Sequence, residues 1–212
     1  MLSLPRDPEP QHSDFQTSSS ERSHATHQGD ERTRWNAKFL GGEAQSVDPD
    51  SLIVEAAASL PPTSALDLAG GAGRHALWLA DRGWRVTLTD ISDEGLALAE
   101  KRATAAGLSL SLRREPAADT IAWATAHDIR FDLIIICWVL LREHFPTLPR
   151  LLAPGGRLLY KTYNAEHSRF REGHSLRYAL EPDELRSAFP SLDTVVYRES
   201  EGVAELIART PE

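Results

Sequence analysis

The chain has 212 residues and one cysteine, and its 23 Lys and Arg against 31 Asp and Glu leave a formal net charge of -8. That length holds one α/β domain with a tail, and the lone Cys137 excludes an internal disulfide and any zinc site built from paired cysteines. The acidic balance repels a phosphate backbone, so nucleic acid is not an expected partner.

Residues 1–32 are rich in Ser, Pro, His, Gln and both signs of charge and poor in aliphatic side chains. They are expected to form a disordered arm, with residues 33–212 as the folded domain. The start, MLSLPRDPEPQHSDFQ, lacks the apolar stretch of a secretory leader, and the longest apolar run, Leu133 to Leu141, is too short to cross a bilayer. A cytoplasmic protein is expected, monomer or homodimer, with no membrane contact and no metal.

Order is expected from RWNAKFL, where Trp35, Phe39 and Leu40 anchor a short helix. A second helix fits Ser51 to Leu60, with Asp48 and Pro49 as cap and first-turn residues and Pro61 and Pro62 as the stop. From Ser64 onward, short apolar strands (ALDLA, RVTLTD, LSLSL, FDLIIIC, RLLYKTY) alternate with helical spacing such as DEGLALAEKRATAAG. This alternation predicts an α/β, Rossmann-like, doubly wound sheet with helices on both faces. After a helix opened by Glu181, Pro182, Asp183 and Glu184, the strands TVVYRE and VAELIART are separated by little more than SEG. A parallel crossover needs a dozen or more residues, so the sheet is predicted to be mostly parallel with one reversed strand near the C-terminus.

The stretch ALDLAGGAGRHA takes a strand through one aspartate into a glycine turn and a helix. Gly71, Gly73 and Ala76 satisfy a dinucleotide pattern, with Asp90 closing the next strand where a ribose-binding acid is expected. Asp67 argues otherwise, because a carboxylate ahead of the glycines repels a pyrophosphate and attracts a cation. With that aspartate, ALDLAGGAGRHALWLADRGWRVTLTDIS resembles the first two motifs of class I S-adenosylmethionine-dependent methyltransferases, whose loop usually reads D-x-G-x-G-x-G. The resemblance covers roughly Trp35 to Arg209. Through WNAKF, GRHALWLADRGWRVT, LAPGGRLLYKTYN and YALEPDEL it is closest to the small tellurite-resistance branch.

The resemblance implies S-adenosylmethionine as cofactor, with Asp67 on its methionyl end and Asp90 on both ribose hydroxyls. The alternatives are a helix cap for Asp67 and a turn residue for Asp90. The backbone from Ala69 through Gly70, Gly71 and Gly73 to Arg74 would form the cradle, Ala69 standing where the family usually has glycine. Its methyl is accommodated if φ is negative. Ile91 would cover one adenine face or belong to the core, and Glu115, with Asp119 as rival, would lie near the adenine amine or be plain surface charge. Cys137 and Trp138 end the fourth strand at the expected crevice, the cysteine as pocket wall and the tryptophan either against sulfonium or substrate or as a packing residue.

On the acceptor side, Tyr163 closes the fifth strand and Trp35 covers the cofactor with Phe39. The segment Asn164 to Tyr178, with His167, Arg169, Arg171, His174 and Arg177, is positioned over the site, and its basic residues hint at an anionic acceptor. The strand end CWVL lacks the Asn/Asp-Pro-Pro-aromatic signature of amine and base methyltransferases, which argues against DNA or adenine methylation; a small-molecule acceptor is expected, and a thiol, selenite or tellurite would suit a pocket without an evident base. Two other readings stand beside this one: a nicotinamide-dependent oxidoreductase, which requires a wholly parallel sheet, and a non-catalytic module that kept the fold.

Overall fold

The computed structural model describes residues 19–42, 46–171 and 175–211. The first described element is a helix, α1 (Ser19–Leu40), which begins within the stretch expected as an arm. It is polar almost all round, and it is held from its C-terminal turn, where Phe39 is buried. A helix of this kind takes its stability from docking rather than from its own sequence. Residues 1–18 of the expected arm, like His174, lie outside the described residues.

Helix α2 (Ser51–Ala57) is capped by Asp50, whose Oδ1 accepts from Leu52 N at 3.1 Å, two residues beyond the expected cap. The repeating part follows as β1 (Ser64–Leu68), α3 (Arg74–Ala80), β2 (Arg85–Asp90), α4 (Asp93–Ala105), β3 (Ser111–Arg114), α5 (Ala117–Ala126), β4 (Phe131–Cys137) and β5 (Leu152–Tyr163). In α4 the Ser92 hydroxyl accepts from Gly95 N at 3.0 Å, and the helix closes on Gly107 at φ 68, with Leu108 N bonded to Ala103 O at 2.8 Å. That closure uses Leu108, so β3 starts at Ser111 rather than at the expected Leu108. Two one-turn helices, α6 (Ser168–Arg171) and α7 (Glu184–Ser187), lead to the hairpin of β6 (Asp193–Ser200) and β7 (Val203–Arg209). Glu201 and Gly202, both at positive φ, make its two-residue turn.

The seven strands lie in the order β3-β2-β1-β4-β5-β7-β6. Every neighbouring pair is parallel except those involving β7, which is the reversed strand that the short hairpin demands. Alternation along the strands divides the core in two. Leu66, Leu68, Ile134, Ile136, Leu158 and Tyr160 face α5 and the α7 region, while Ala65, Leu133, Ile135 and Leu159 face α2, α3 and α4. Asp67 pairs in register with Leu88 and Ile135 and belongs to the second face. No described helix is long and apolar enough to cross a membrane.

Candidate active site

The strand order reverses between β1 and β4, and a crevice opens at the carboxyl ends of strands on either side of such a reversal. The glycine turn lies there. A side chain at Gly70 would come within 2.5 Å of the Asp67 carboxylate and of Leu88, and one at Gly71, where φ is 57, within 2.7 Å of the Phe39 ring. Ala69 corrects the expectation of a negative φ: it stands at φ 57, in the left-handed region. Its conformation is imposed by the turn, in which Gly70 N bonds to Thr89 O at 3.0 Å and Gly73 N to Gly70 O at 3.0 Å. Left-handed backbone at a non-glycine residue is strain of the kind that collects at ligand sites.

Asp67 is 1% exposed, and neither carboxylate oxygen finds a hydrogen-bond partner among the described residues. Burial, reinforced by the charge of Asp90, pushes its pKa up to about 7, while the nearby Ala76 backbone N–H and Arg74 work in the opposite direction. It does not cap α3, whose N-cap is Gly73 with no side-chain cap bond. An unpaired carboxylate costs several kcal/mol of ordering and desolvation that a cation would recover, roughly 1–3 kcal/mol for each unmade hydrogen bond.

Asp90 is buried, and each oxygen takes one backbone N–H, Oδ2 from Gly71 and Oδ1 from Ser92, both at 2.8 Å. The turn role and the binding role are therefore compatible, because a carboxylate offers about four acceptor positions. Asp90 also ties the glycine turn to β2, a role that spacing alone did not reveal. Burial moves its pKa upward against those two bonds. Ile91, next in the chain, is half-buried.

Glu115 is committed to a local network. It accepts from Arg113 Nε and Thr120 Oγ1, both at 2.6 Å, and Thr120 meets Thr89 at 2.6 Å. Burial would raise its pKa, but Arg113 and Thr120 outweigh that and hold it low. Asp119 is exposed on α5.

At the end of β4 the Cys137 thiol is pushed up, by burial first and then by the charges of Asp67 and Asp50, and stays protonated. Trp138 follows at φ 66 with its N–H on Lys161 O at 2.8 Å. It is 38% exposed, and its ring centroid lies 4.8 Å from Tyr163, which in turn lies 4.5 Å from His167. The structure thus brings Trp138, Tyr163 and His167 together. Arg177 is exposed, its guanidinium over the adjacent Tyr178 ring at 4.4 Å. Lys161 Nζ, 5.3 Å from the Trp138 ring, is held by Asp50 at 2.8 Å and Glu205 at 2.6 Å, so its charge is balanced.

Two contributors were not foreseen. Asn36 on α1 accepts from the Ser92 hydroxyl at 2.7 Å and Glu94 N at 3.3 Å. Of the expected aromatic pair, Phe39 rests on Gly71 and Gly95, while Trp35 stands 6.3 Å from it beneath Lys38 and Arg34. The second is His75, buried in the first turn of α3.

Residues 65–156 match the family model described as "Methyltransferase domain". A Bacillus subtilis (strain 168) protein, YqeM, a methyltransferase by assignment only, is 31% identical over 118 residues, or 51% of this chain. The match spans 46% of that relative, so the chain covers about half its length. Among solved structures, TehB from Haemophilus influenzae superposes with a TM-score of 0.67 at 18% identity, over 82% of this chain and 66% of that one. The N-methyltransferase NodS from Bradyrhizobium japonicum WM9, in complex with S-adenosyl-L-homocysteine, gives 0.58 at 22% identity, over 76% and 85%. By sequence over residues 65–156 and by fold over most of its length, the chain resembles the class I S-adenosylmethionine-dependent methyltransferases, with TehB as a relative in fold.

Proposed function

We propose that the protein is an S-adenosylmethionine-dependent methyltransferase acting on a small-molecule acceptor. The observation that carries this reading is the Asp67 carboxylate, buried without a partner against Gly70 at the mouth of the crevice. A phosphate would be repelled there, and an ammonium group would be held. The reversed β7 also argues against the nicotinamide reading, which requires a wholly parallel sheet.

When bound, S-adenosylmethionine supplies a methyl group already activated on a sulfonium. Transfer is an in-line displacement, so the protein's task is alignment and exclusion of water. Asp67 holds the methionyl ammonium, Asp90 accepts from the ribose hydroxyls with its remaining lone pairs, and Ile91 supports the adenine. Phe39 and Asn36 close α1 over the turn. Trp138, Tyr163 and His167 form the aromatic wall on the acceptor side. Cys137 is protonated and Lys161 is ion-paired, so neither serves as a ready base. A soft anionic acceptor, such as a thiolate, selenite or tellurite, needs no proton removed in the transition state and suits a site without a ready base.

Calorimetric titration with S-adenosylmethionine, S-adenosylhomocysteine and NADH in parallel tests the reading. Binding of the two sulfur nucleosides alone is expected, followed by methylation in a screen of thiol, selenite and tellurite acceptors. Binding of NADH alone would overturn it.

A further inference from the structure

The acceptor side of the crevice keeps a large aromatic side chain exposed. Trp138, the residue after β4, is 38% exposed and stands at φ 66. A bulky residue in the left-handed region is a rare outlier, and such outliers collect where a ligand is held. The turn that imposes it is pinned to β5. Trp138 N donates to Lys161 O at 2.8 Å, and the hydroxyl of the buried Tyr160 accepts from Leu141 N at 2.8 Å and donates to Val139 O at 3.1 Å. Leu68 of β1 pairs in register with Ile136 of β4, so the indole leaves the sheet beside the glycine turn and borders the same crevice.

The ring is part of a group. Its centroid is 4.8 Å from Tyr163, tilted by 39°, and Tyr163 lies 4.5 Å from His167 and 6.3 Å from the buried Phe170. The hairpin turn is seated on the backbone of His167 and holds it in that group: a side chain at Gly202 would come within 2.2 Å of His167 Cα. The charge beside the ring is settled as well. Lys161 Nζ lies 5.3 Å from the Trp138 centroid and is shared by the carboxylates of Asp50 and Glu205, at 2.8 and 2.6 Å. A cationic body laid on the indole meets that ammonium, and an anionic one meets two carboxylates that already share it. An uncharged ring gains from the wall, because it leaves water against the indole and can make the offset or edge contacts that aromatic pairs prefer.

We infer that Trp138 is a specificity residue of the acceptor site, and that the acceptor carries a flat, uncharged aromatic body beside its reacting atom. The inference rests on the methyltransferase reading above and narrows its acceptor to an organic molecule, which favours the thiol over the inorganic oxyanions.

The test saturates the full chain with S-adenosylhomocysteine and titrates it calorimetrically with phenylmethanethiol, cyclohexylmethanethiol and selenite. The two thiols share the reacting group and the ring size and differ in flatness, while selenite has no body at all. Phenylmethanethiol is expected to bind about tenfold more tightly than its saturated counterpart, and selenite more weakly than either. Trp138→Leu should erase the preference between the thiols, and Trp138→Phe should keep most of it. Equal affinity of wild type for the two thiols would overturn the inference without any variant. Selenite binding more tightly than both, or a preference that Trp138→Leu leaves intact, would overturn it too. Binding of S-adenosylhomocysteine but of none of the three acceptors would overturn it and leave the cofactor reading standing. Wild type that fails to bind S-adenosylhomocysteine would remove that reading and this inference with it.

Discussion

Ala69 offers a test that needs no ligand. Its φ of 57 puts an L-residue in the left-handed region, where the methyl crowds its own backbone; the penalty is roughly 1–2 kcal/mol. Glycine removes that penalty but gives the unfolded chain more freedom, which costs back about 0.4–1 kcal/mol. The balance for Ala69→Gly is a net stabilisation of about 0.5–1 kcal/mol. In a chain of this size each kcal/mol moves the midpoint by roughly 2–4 °C, so the expected rise in Tm is about 1–4 °C. Differential scanning calorimetry of the unliganded protein reads it directly. Ala69→Val provides the opposite sign, since a β-branched side chain tolerates positive φ least, and its Tm should fall. An Ala69→Gly protein with an unchanged or lower Tm would refute the argument, because it would mean that residue 69 is not held left-handed in solution.

Asp90→Ala removes the acceptor for Gly71 N as well as the proposed ribose contact, and S-adenosylhomocysteine should bind about a hundredfold more weakly, the worth of roughly two charged hydrogen bonds; calorimetric affinity equal to wild type would displace the ribose from this residue. Asp67, with its pKa raised to about 7 in the free protein, must be ionised to hold an ammonium group. Affinity should therefore climb as pH rises towards 7 and level off above it, with a proton released on binding below pH 7 that calorimetry in two buffers detects and that Asp67→Asn abolishes; a flat profile in wild type would count against the pairing. Gly71→Ala places a methyl at φ 57 and 2.7 Å from Phe39 Cζ, and should cost about 1–3 kcal/mol in thermal unfolding. Part of that cost should vanish in a Phe39→Ala background, and a penalty identical in both backgrounds would mean that α1 does not rest on the turn.

The parts of this protein that could be read from its sequence are those governed by local rules. The central strands follow from apolar runs of strand length, the hairpin from the shortness of SEG, and the placement of Asp67 and Asp90 from their position in two successive strands. Where local rules misled, a long-range contact had decided the outcome. Asp50 rather than Asp48 caps α2, because its other oxygen is fixed by Lys161, 111 residues away. The helix over Ser19–Leu40 has no apolar stripe to announce it, and its anchors, Asn36 and Phe39, meet Ser92 and Gly95, residues that only the fold brings near.

The backbone outliers at the crevice have the same origin. Ala69 follows β1 and Trp138 follows β4, the two adjacent strands between which the strand order reverses, and both stand at positive φ. Neither residue type prefers that region, so no propensity could have signalled them. Ala69 is turned by the bond from Gly70 to Thr89 and by the grip of Asp90 on Gly71, while Trp138 is turned by its N–H on Lys161 O. Each turn carries the chain out of the sheet where its neighbour also leaves, and that joint departure opens the crevice. A site built in this way spends local stability on shape, so Ala69→Gly should stabilise the fold even though residue 69 borders the crevice.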